Sequence, residues 1–299
     1  MMTEKKTIGV VGLWHLGCVV SACWSKLGYK VIGYDENASI VDSLQKGMPP
    51  IYEPHLESTL QTFLKDSTLK FSKDVQALND CEFIFLTYDT PVLEDDGSDI
   101  SILERNIDQL GKVLKNNSVV IISSQLPVGT CRLFRERIQK INPTLDIAYS
   151  PENLQLGNAI QNYLNPGRII LGTENKTTKQ RIIELFQDIT RHILTMNMPS
   201  AETVKHGINS FLATSITLTN QLADVCEYSG ASIVDVVKGM KSDSRIGEKA
   251  YLAPGIGFSG GTLGRDLKAL DSMNESYQGS AQFFKTVHGF NQQRKIVIV

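Results

Sequence analysis

The sequence predicts an α/β protein, with a Rossmann-type doubly wound parallel sheet followed by an all-helical domain. Two observations lead to this prediction. Short apolar runs alternate with longer amphipathic stretches over the first two-thirds of the 299 residues, and this alternation stops near residue 199. Strands that alternate with helices are typical of parallel sheets, whereas long stretches without strand patterning predict helices packed on helices.

The first βαβ unit begins at the apolar run Thr7–Val11, which ends at Gly12. A helix is predicted over residues 17–26, and a second strand over Lys30–Tyr34. Further apolar runs are predicted as strands, and amphipathic stretches at 100–115 and 132–141 as helices. These strands are 83–86, 119–123, 147–149 and 169–171.

The second unit is predicted to be helical. Ser200 is a suitable N-cap for one long helix over residues 201–228, since a serine hydroxyl satisfies free amides at a helix start. A shorter helix near 233–240, a glycine-rich loop at 253–264 and two more helical stretches to about residue 292 follow.

The last five residues, 295–299, are a lysine and four aliphatic residues, and they predict a strand. We interpret this strand as the start of a further domain. The alternative is a strand added to the edge of the existing sheet. The predicted domains are therefore 1–198, 199–293 and, at 294–299, the start of a C-terminal nucleotide-binding domain.

Composition excludes several classes of function. The net charge is −2 and no run of Lys and Arg occurs, so neither nucleic acid nor an anionic membrane is an expected partner. No apolar stretch approaches the roughly 18–20 residues of a membrane helix, and no signal-peptide core is present, so a cytoplasmic protein is expected.

The five cysteines lack C-x-x-C spacing and the five histidines lie far apart. We therefore predict no metal site and interpret the thiols as small buried hydrophobic groups.

The turn after the first strand carries an altered dinucleotide-binding motif. Gly12 and Gly17 are the first and third glycines of G-x-G-x-x-G, whereas Trp14 occupies the second position. Asp35 ends the second strand, where a carboxylate accepts hydrogen bonds from ribose hydroxyls, which favours NAD over NADP. Two alternatives stay open: an ordinary strand-turn-helix with a solvated aspartate, and a tryptophan that stacks on or beside the cofactor.

Several segments spread over the whole chain share a common resemblance. They are 47–56 (GMPPIYEPHL), Thr90-Pro91, 96–101 (DGSDIS), 127–130 (PVGT), 150–154 (SPENL), 166–172 (PGRIILG), the set Glu202, Lys205, Asn209 and Leu212-Ala213, 245–247 (RIG) and 257–266 (GFSGGTLGRD). Together, and in this order, they resemble the UDP-glucose/GDP-mannose dehydrogenase family.

The resemblance implies an N-terminal NAD domain, a helical central domain like that of 6-phosphogluconate dehydrogenase, and a C-terminal nucleotide-binding domain. It also implies a homodimer formed through the long central helix. The implied reaction is that of UDP-glucose 6-dehydrogenase and similar enzymes, which oxidise a CH–OH group of a nucleotide sugar for polysaccharide or glycan precursors. Two hydride transfers pass through an aldehyde that a cysteine captures.

The family's site residues map onto this chain position by position. The implied cofactor-binding residues are Gly12, Trp14, His15, Leu16, Gly17, Asp35, Thr90, Pro91, Ser124, Gln125 and Glu152. The implied substrate-binding residues are Asn153, Leu154, Lys205, Asn209, Arg245, Tyr251, Gly257 and Gly260. The implied catalytic residues are Lys205, Asn209, Asp266, Glu152 and Thr262.

Thr262 marks the main departure from the family, because it stands where the nucleophilic cysteine is expected. A threonine hydroxyl is a far poorer nucleophile than a thiol unless a neighbouring base activates it. We therefore expect at most one hydride transfer per sugar. The alternative is a catalytically silent homologue that binds NAD or a nucleotide sugar in a regulatory or scaffolding role.

Overall fold

The computed structural model describes residues 6–90, 99–152, 154–258, 261–276 and 282–297. These residues fall into two compact units, one that ends at Thr203 and one that begins at Val204.

The first unit alternates strands and helices. Its strands are β1 (Thr7–Val11), β2 (Lys30–Tyr34), β3 (Leu69–Ser72), β4 (Phe83–Leu86), β5 (Val119–Ile122), β6 (Asp146–Tyr149), β7 (Ile169–Gly172) and β8 (Ile193–Met196). Its helices are α1 (His15–Lys26), α2 (Ala38–Leu44), α3 (Leu56–Lys65), α4 (Ser101–Val113), α5 (Thr130–Ile141), α6 (Ala159–Leu164) and α7 (Lys176–Phe186). A 3-10 turn covers Val75–Leu78.

The eight strands form one sheet in the order β3-β2-β1-β4-β5-β6-β7-β8. The pairs from β3 to β6 are parallel, β6 and β7 are antiparallel, and β7 and β8 are again parallel. β1, β4 and β5 are apolar along almost their whole length, as expected for central strands with helices on both faces. The order reverses between β1 and β4, and in such sheets ligands bind beyond the carboxyl ends of the strands at this point. The predicted doubly wound fold is confirmed.

The second unit contains most of α8 (Met198–Ser229), then α9 (Ile233–Ser242), α10 (Gly261–Ser276) and α11 (Gln282–Val297). A small core joins four parts of this unit, with Ala213 of α8, Phe258 of the loop before α10, Leu267 of α10 and Val287 of α11. Among the residues described after 203, all the regular structure is helical, as predicted.

Two local predictions are wrong. Ser200 lies inside α8 rather than at its cap: the helix starts at Met198, and Asn197 Oδ1 accepts the Ser200 amide at 2.9 Å. Residues 295–297 continue α11 and do not form a strand. Three helix-compatible residues, Gln292, Gln293 and Arg294, precede them, and extending an existing helix adds a hydrogen bond without a new nucleus.

All five cysteines are buried and free, which confirms their interpretation as small hydrophobic groups. Burial raises the pKa of the Cys23 and Cys81 thiols to about 12. Among the described helices, none combines the length and the apolar composition of a membrane span.

Candidate active site

The turn between β1 and α1 has the geometry of a phosphate-binding loop. Gly12 has a φ of +92°, and a Cβ there would lie 2.8 Å from the backbone nitrogen of Tyr88. A Cβ on Gly17 would lie 1.9 Å from the Gly12 carbonyl oxygen. Both positions therefore require glycine. Trp14 has φ −83° and ψ −155°, which any residue adopts, so the turn forms without the second glycine of the motif.

Asp35 lies beside this turn and shapes it. Its Oδ2 accepts the amide of Leu13 at 2.7 Å, and its Oδ1 accepts the amide of Asn37 at 2.9 Å. The side chain is buried at the carboxyl end of β2. Each carboxylate oxygen has a second acceptor position, so Asp35 can still receive ribose hydroxyls.

Other predicted cofactor residues lie at the carboxyl ends of β4 and β5. Thr90 donates from Oγ1 to the carbonyl oxygen of Gln125 at 3.0 Å, which joins the two loops. Ser124 donates to the Leu86 carbonyl oxygen at 3.4 Å. Of the remaining predicted site residues, Pro91, Asn153 and Gly260 lie outside the described residues.

Glu152 follows β6 and lines a cavity of about 260 Å³ within the first unit. Ser150, Tyr163 and Arg168 line the same cavity, so its wall is largely polar. Leu154 packs against the main hydrophobic core and holds the loop that carries Glu152.

Glu202, in the second turn of α8, contacts the start of α5, and this contact was not predicted from the sequence. Its two oxygens accept the amides of Gly129 at 2.6 Å and Cys131 at 2.8 Å, and the residue is wholly buried. A carboxylate at a helix N-terminus satisfies free amides and interacts favourably with the helix dipole. Lys205 lies three residues further along the same helix.

The second unit brings two predicted catalytic residues together, with a third that was not predicted. Asp266 of α10 is wholly buried, and its Oδ2 accepts the side-chain amide of Asn209. Its Oδ1 lies 2.6 Å from Nδ1 of His206. A buried carboxylate requires such partners, because burying an unpaired charge is costly. His206 and Asn209 are three residues apart and share a face of α8, and this spacing was the only sequence signal for His206.

Thr262 and Asp266 are both on α10, four residues apart and therefore on the same face. Thr262 is solvent-exposed in the first turn of α10.

Three predicted substrate-binding residues, Gly257, Arg245 and Tyr251, lie in loops of the second unit. Gly257 has a φ of +101°, and a Cβ there would lie 2.4 Å from Asn291 Oδ1. Asn291, which was not predicted, accepts the Phe258 amide at 2.8 Å and donates to the Phe258 carbonyl oxygen at 2.9 Å. Arg245 is exposed and forms a two-point ion pair with Asp243. Tyr251 is also exposed.

Comparison with known proteins matches both units to one family. The UDP-glucose/GDP-mannose dehydrogenase NAD-binding domain matches residues 6–190, and the central domain of the same family matches residues 199–293. The chain belongs to the UDP-glucose/GDP-mannose dehydrogenase family.

Individual members of this family show the same similarity. UDP-glucose 6-dehydrogenase TuaD of Bacillus subtilis (strain 168) is 32% identical over 298 residues, which are 98% of this chain and 64% of TuaD. A UDP-glucose 6-dehydrogenase of Pseudomonas aeruginosa is 31% identical over 96% of this chain and 65% of its own length. The solved UDP-glucose dehydrogenase of Pyrobaculum islandicum is 27% identical, with a TM-score of 0.90 over 98% of this chain and 69% of that one. The chain thus spans slightly less than two-thirds of these two curated relatives.

The NAD-binding turn of this family member fits its cofactor. Gly12 and Gly17 form the tight turn that leads into the N-terminus of α1, where free amides attract a diphosphate, and Asp35 lies at the end of β2 for the ribose.

Proposed function

We propose that the chain is an NAD-dependent oxidoreductase that acts on the CH–OH group of a nucleotide sugar and transfers one hydride per sugar. NAD supplies the hydride acceptor. The observation that carries the proposal is the buried group of His206, Asn209 and Asp266 on α8 and α10, because it orients polar atoms that an alcohol oxidation requires.

Asn209 has a defined orientation in this group. Its amide nitrogen donates to Asp266, so its carbonyl oxygen is directed away from the carboxylate. That oxygen can accept a hydrogen bond from a substrate hydroxyl or a water. Lys205, one turn earlier on the same face, is the residue we assign to the alcohol proton.

The reaction ends at an aldehyde or ketone in this proposal. In the family the second oxidation starts from an aldehyde that a cysteine thiol has captured, and Thr262 has no thiol. Glu152 lines the polar cavity of the first unit, and we assign it to orient a water molecule there.

The test counts NADH formed per sugar consumed over a panel of UDP- and GDP-sugars. One NADH per sugar is expected. Two would contradict the single transfer. No turnover with retained NAD binding would favour the silent homologue. Failure of NAD to raise the melting temperature would overturn the cofactor assignment itself.

We propose a homodimer that forms through α8. Phe211, Leu218 and Val225 are 66%, 48% and 61% exposed, and they recur every seven residues along this helix. An apolar stripe at this spacing is typical of a helix that packs against a second helix. We further propose the domain limits 1–198 and 199–293, and a cytoplasmic location that the free thiols support.

A further inference from the structure

We propose that Glu53 is a positioning residue that couples the cofactor turn to the loop before α6, so that NAD binding at α1 restrains the turn at residues 155–159. The proposal rests on the NAD assignment above, but it does not depend on which sugar is used.

Glu53 contacts two segments that are distant in sequence. Its Oε2 lies 3.0 Å from His15 Nε2 and accepts the Gly157 amide at 2.9 Å. Its Oε1 accepts the amide of Ala159 at 2.8 Å. The carboxylate is 1% exposed, so these bonds are not replaced by bulk water.

The charge of Glu53 determines the direction of its hydrogen bond with His15. The backbone amides of Ala159 and Gly157 and the His15 side chain lower its pKa, despite the opposing effect of burial. An ionised carboxylate can only accept hydrogen bonds, so His15 carries the proton on Nε2. The imidazole is thus a donor held by the carboxylate.

His15 is the first residue of α1 and directly follows Trp14 in the cofactor turn. Its side chain is 14% exposed. A diphosphate at this helix end lies next to the first-turn residues, because the free amides and the helix dipole attract anions there. An anion bound there also holds the first turn of α1 in place, and with it the position from which the His15 imidazole contacts Glu53.

The amides of Gly157 and Ala159 are the contacts of the Glu53 carboxylate on the side away from His15 in sequence. They lie at the end of the turn at residues 155–158, and Ala159 is the first residue of α6. Stronger attachment of Glu53 to His15 therefore restrains the two amides that share its carboxylate. If NAD binding restrains this turn, then by linkage a restrained turn must also favour NAD binding.

The test is hydrogen exchange at the Gly157 and Ala159 amides, with and without saturating NAD. Binding itself is monitored separately by quenching of Trp14 fluorescence. We expect NAD to slow exchange at both amides by about tenfold, which is within the usual range of coupling between sites. In His15→Phe the effect of NAD should fall below about twofold, whereas His15→Gln, which keeps a donor, should retain most of it.

His55→Asn is the matched control. It removes an exposed imidazole two residues from Glu53 and keeps the left-handed backbone of φ +66°, which asparagine tolerates. It should leave the effect of NAD unchanged.

The outcomes separate the two proposals. NAD binding with no slowing of exchange in the wild type, or full slowing in His15→Phe, overturns the coupling and leaves the cofactor assignment intact. Absence of NAD binding overturns the cofactor assignment and the coupling with it. If His15→Phe does not fold or does not bind NAD, Glu53→Gln replaces it in the test. The proposal then requires that NAD no longer slows amide exchange in Glu53→Gln, whereas it still does so in His15→Gln.

Discussion

His206 and Asp266 form a buried pair, with Nδ1 2.6 Å from Oδ1 and side chains that are 3% and 0% exposed. A carboxylate that accepts from one imidazole nitrogen fixes the orientation of the ring. Asn209 occupies the other carboxylate oxygen. Asp266 therefore organises two neighbours of Lys205, and the loss of its charge should disturb both.

Asp266→Asn should lower turnover about 100-fold, the usual scale for loss of a group that supports proton transfer. NAD binding by Trp14 fluorescence should be unchanged, since Asp35 and the glycine turn are intact. Asp235→Asn, an exposed position on α9, is the control with normal turnover. Unchanged turnover in Asp266→Asn would remove this residue from the mechanism.

Thr262→Cys should raise the yield from one to two NADH per sugar, because a thiolate can capture the aldehyde that a hydroxyl cannot. Mass spectrometry of the sugar product provides a second measurement, with an acid expected in place of an aldehyde. Thr262→Ser keeps a hydroxyl and should still give one NADH. Equal yields in the wild type and Thr262→Cys would show that the cysteine position is not what limits the reaction.

Asp35→Asn should weaken NAD binding about tenfold or more, because hydrogen bonds to a charged acceptor are stronger than those to an amide. Isothermal titration calorimetry measures the change. Asp42→Asn, an exposed position paired with Lys73, is the control and should bind NAD normally. An unaltered affinity in Asp35→Asn would exclude the predicted ribose contact.

Glu53→Gln should make stability less sensitive to acid. The pKa of Glu53 is lowered in the folded protein, so its contribution is present above the unfolded value of about 4.3 and is lost as pH falls through the folded value. When the pH is lowered from 7 to below about 4.3, the wild type should therefore lose more of its free energy of unfolding than the variant. Glu57→Gln, exposed on α3, should follow the wild type. Parallel pH profiles for the wild type and Glu53→Gln would contradict this assignment.

Val225→Lys should convert the proposed dimer to a monomer, since it places a charge within the apolar stripe of α8. Light scattering after size-exclusion chromatography measures the mass. Leu133→Lys is the control, because Leu133 is equally exposed but lies on α5 of the first unit. A wild-type protein that is already monomeric would refute the dimer.

The sequence predicted the helices and strands whose local hydrophobic pattern matches their burial in the folded protein. β1, α1 and β2 follow from an apolar run, a glycine turn and a second apolar run. β3 and β8 were not predicted, because they are edge strands of four residues with exposed positions, and their pairing depends on neighbours distant in sequence.

The residues of the candidate site also differ in whether the sequence could predict them. The position of Asp35 beside the glycine turn could be predicted, because it depends on spacing along one βαβ unit. Glu53 could not, because its partners are 38 and 104 or more residues away, and only the folded chain brings them together. His206 carries no motif of its own, and its role became visible only through its contact with Asp266.

The conformation of Trp14 has a consequence for how such proteins are found. Two glycines of the turn are enforced by steric contact and the middle one is not, so the fold tolerates a large side chain where the motif specifies none. A pattern search that demands all three glycines would pass over this chain. A search that weights Gly12 and Gly17 by the space around them, together with an acidic residue at the end of the next strand, would retain it.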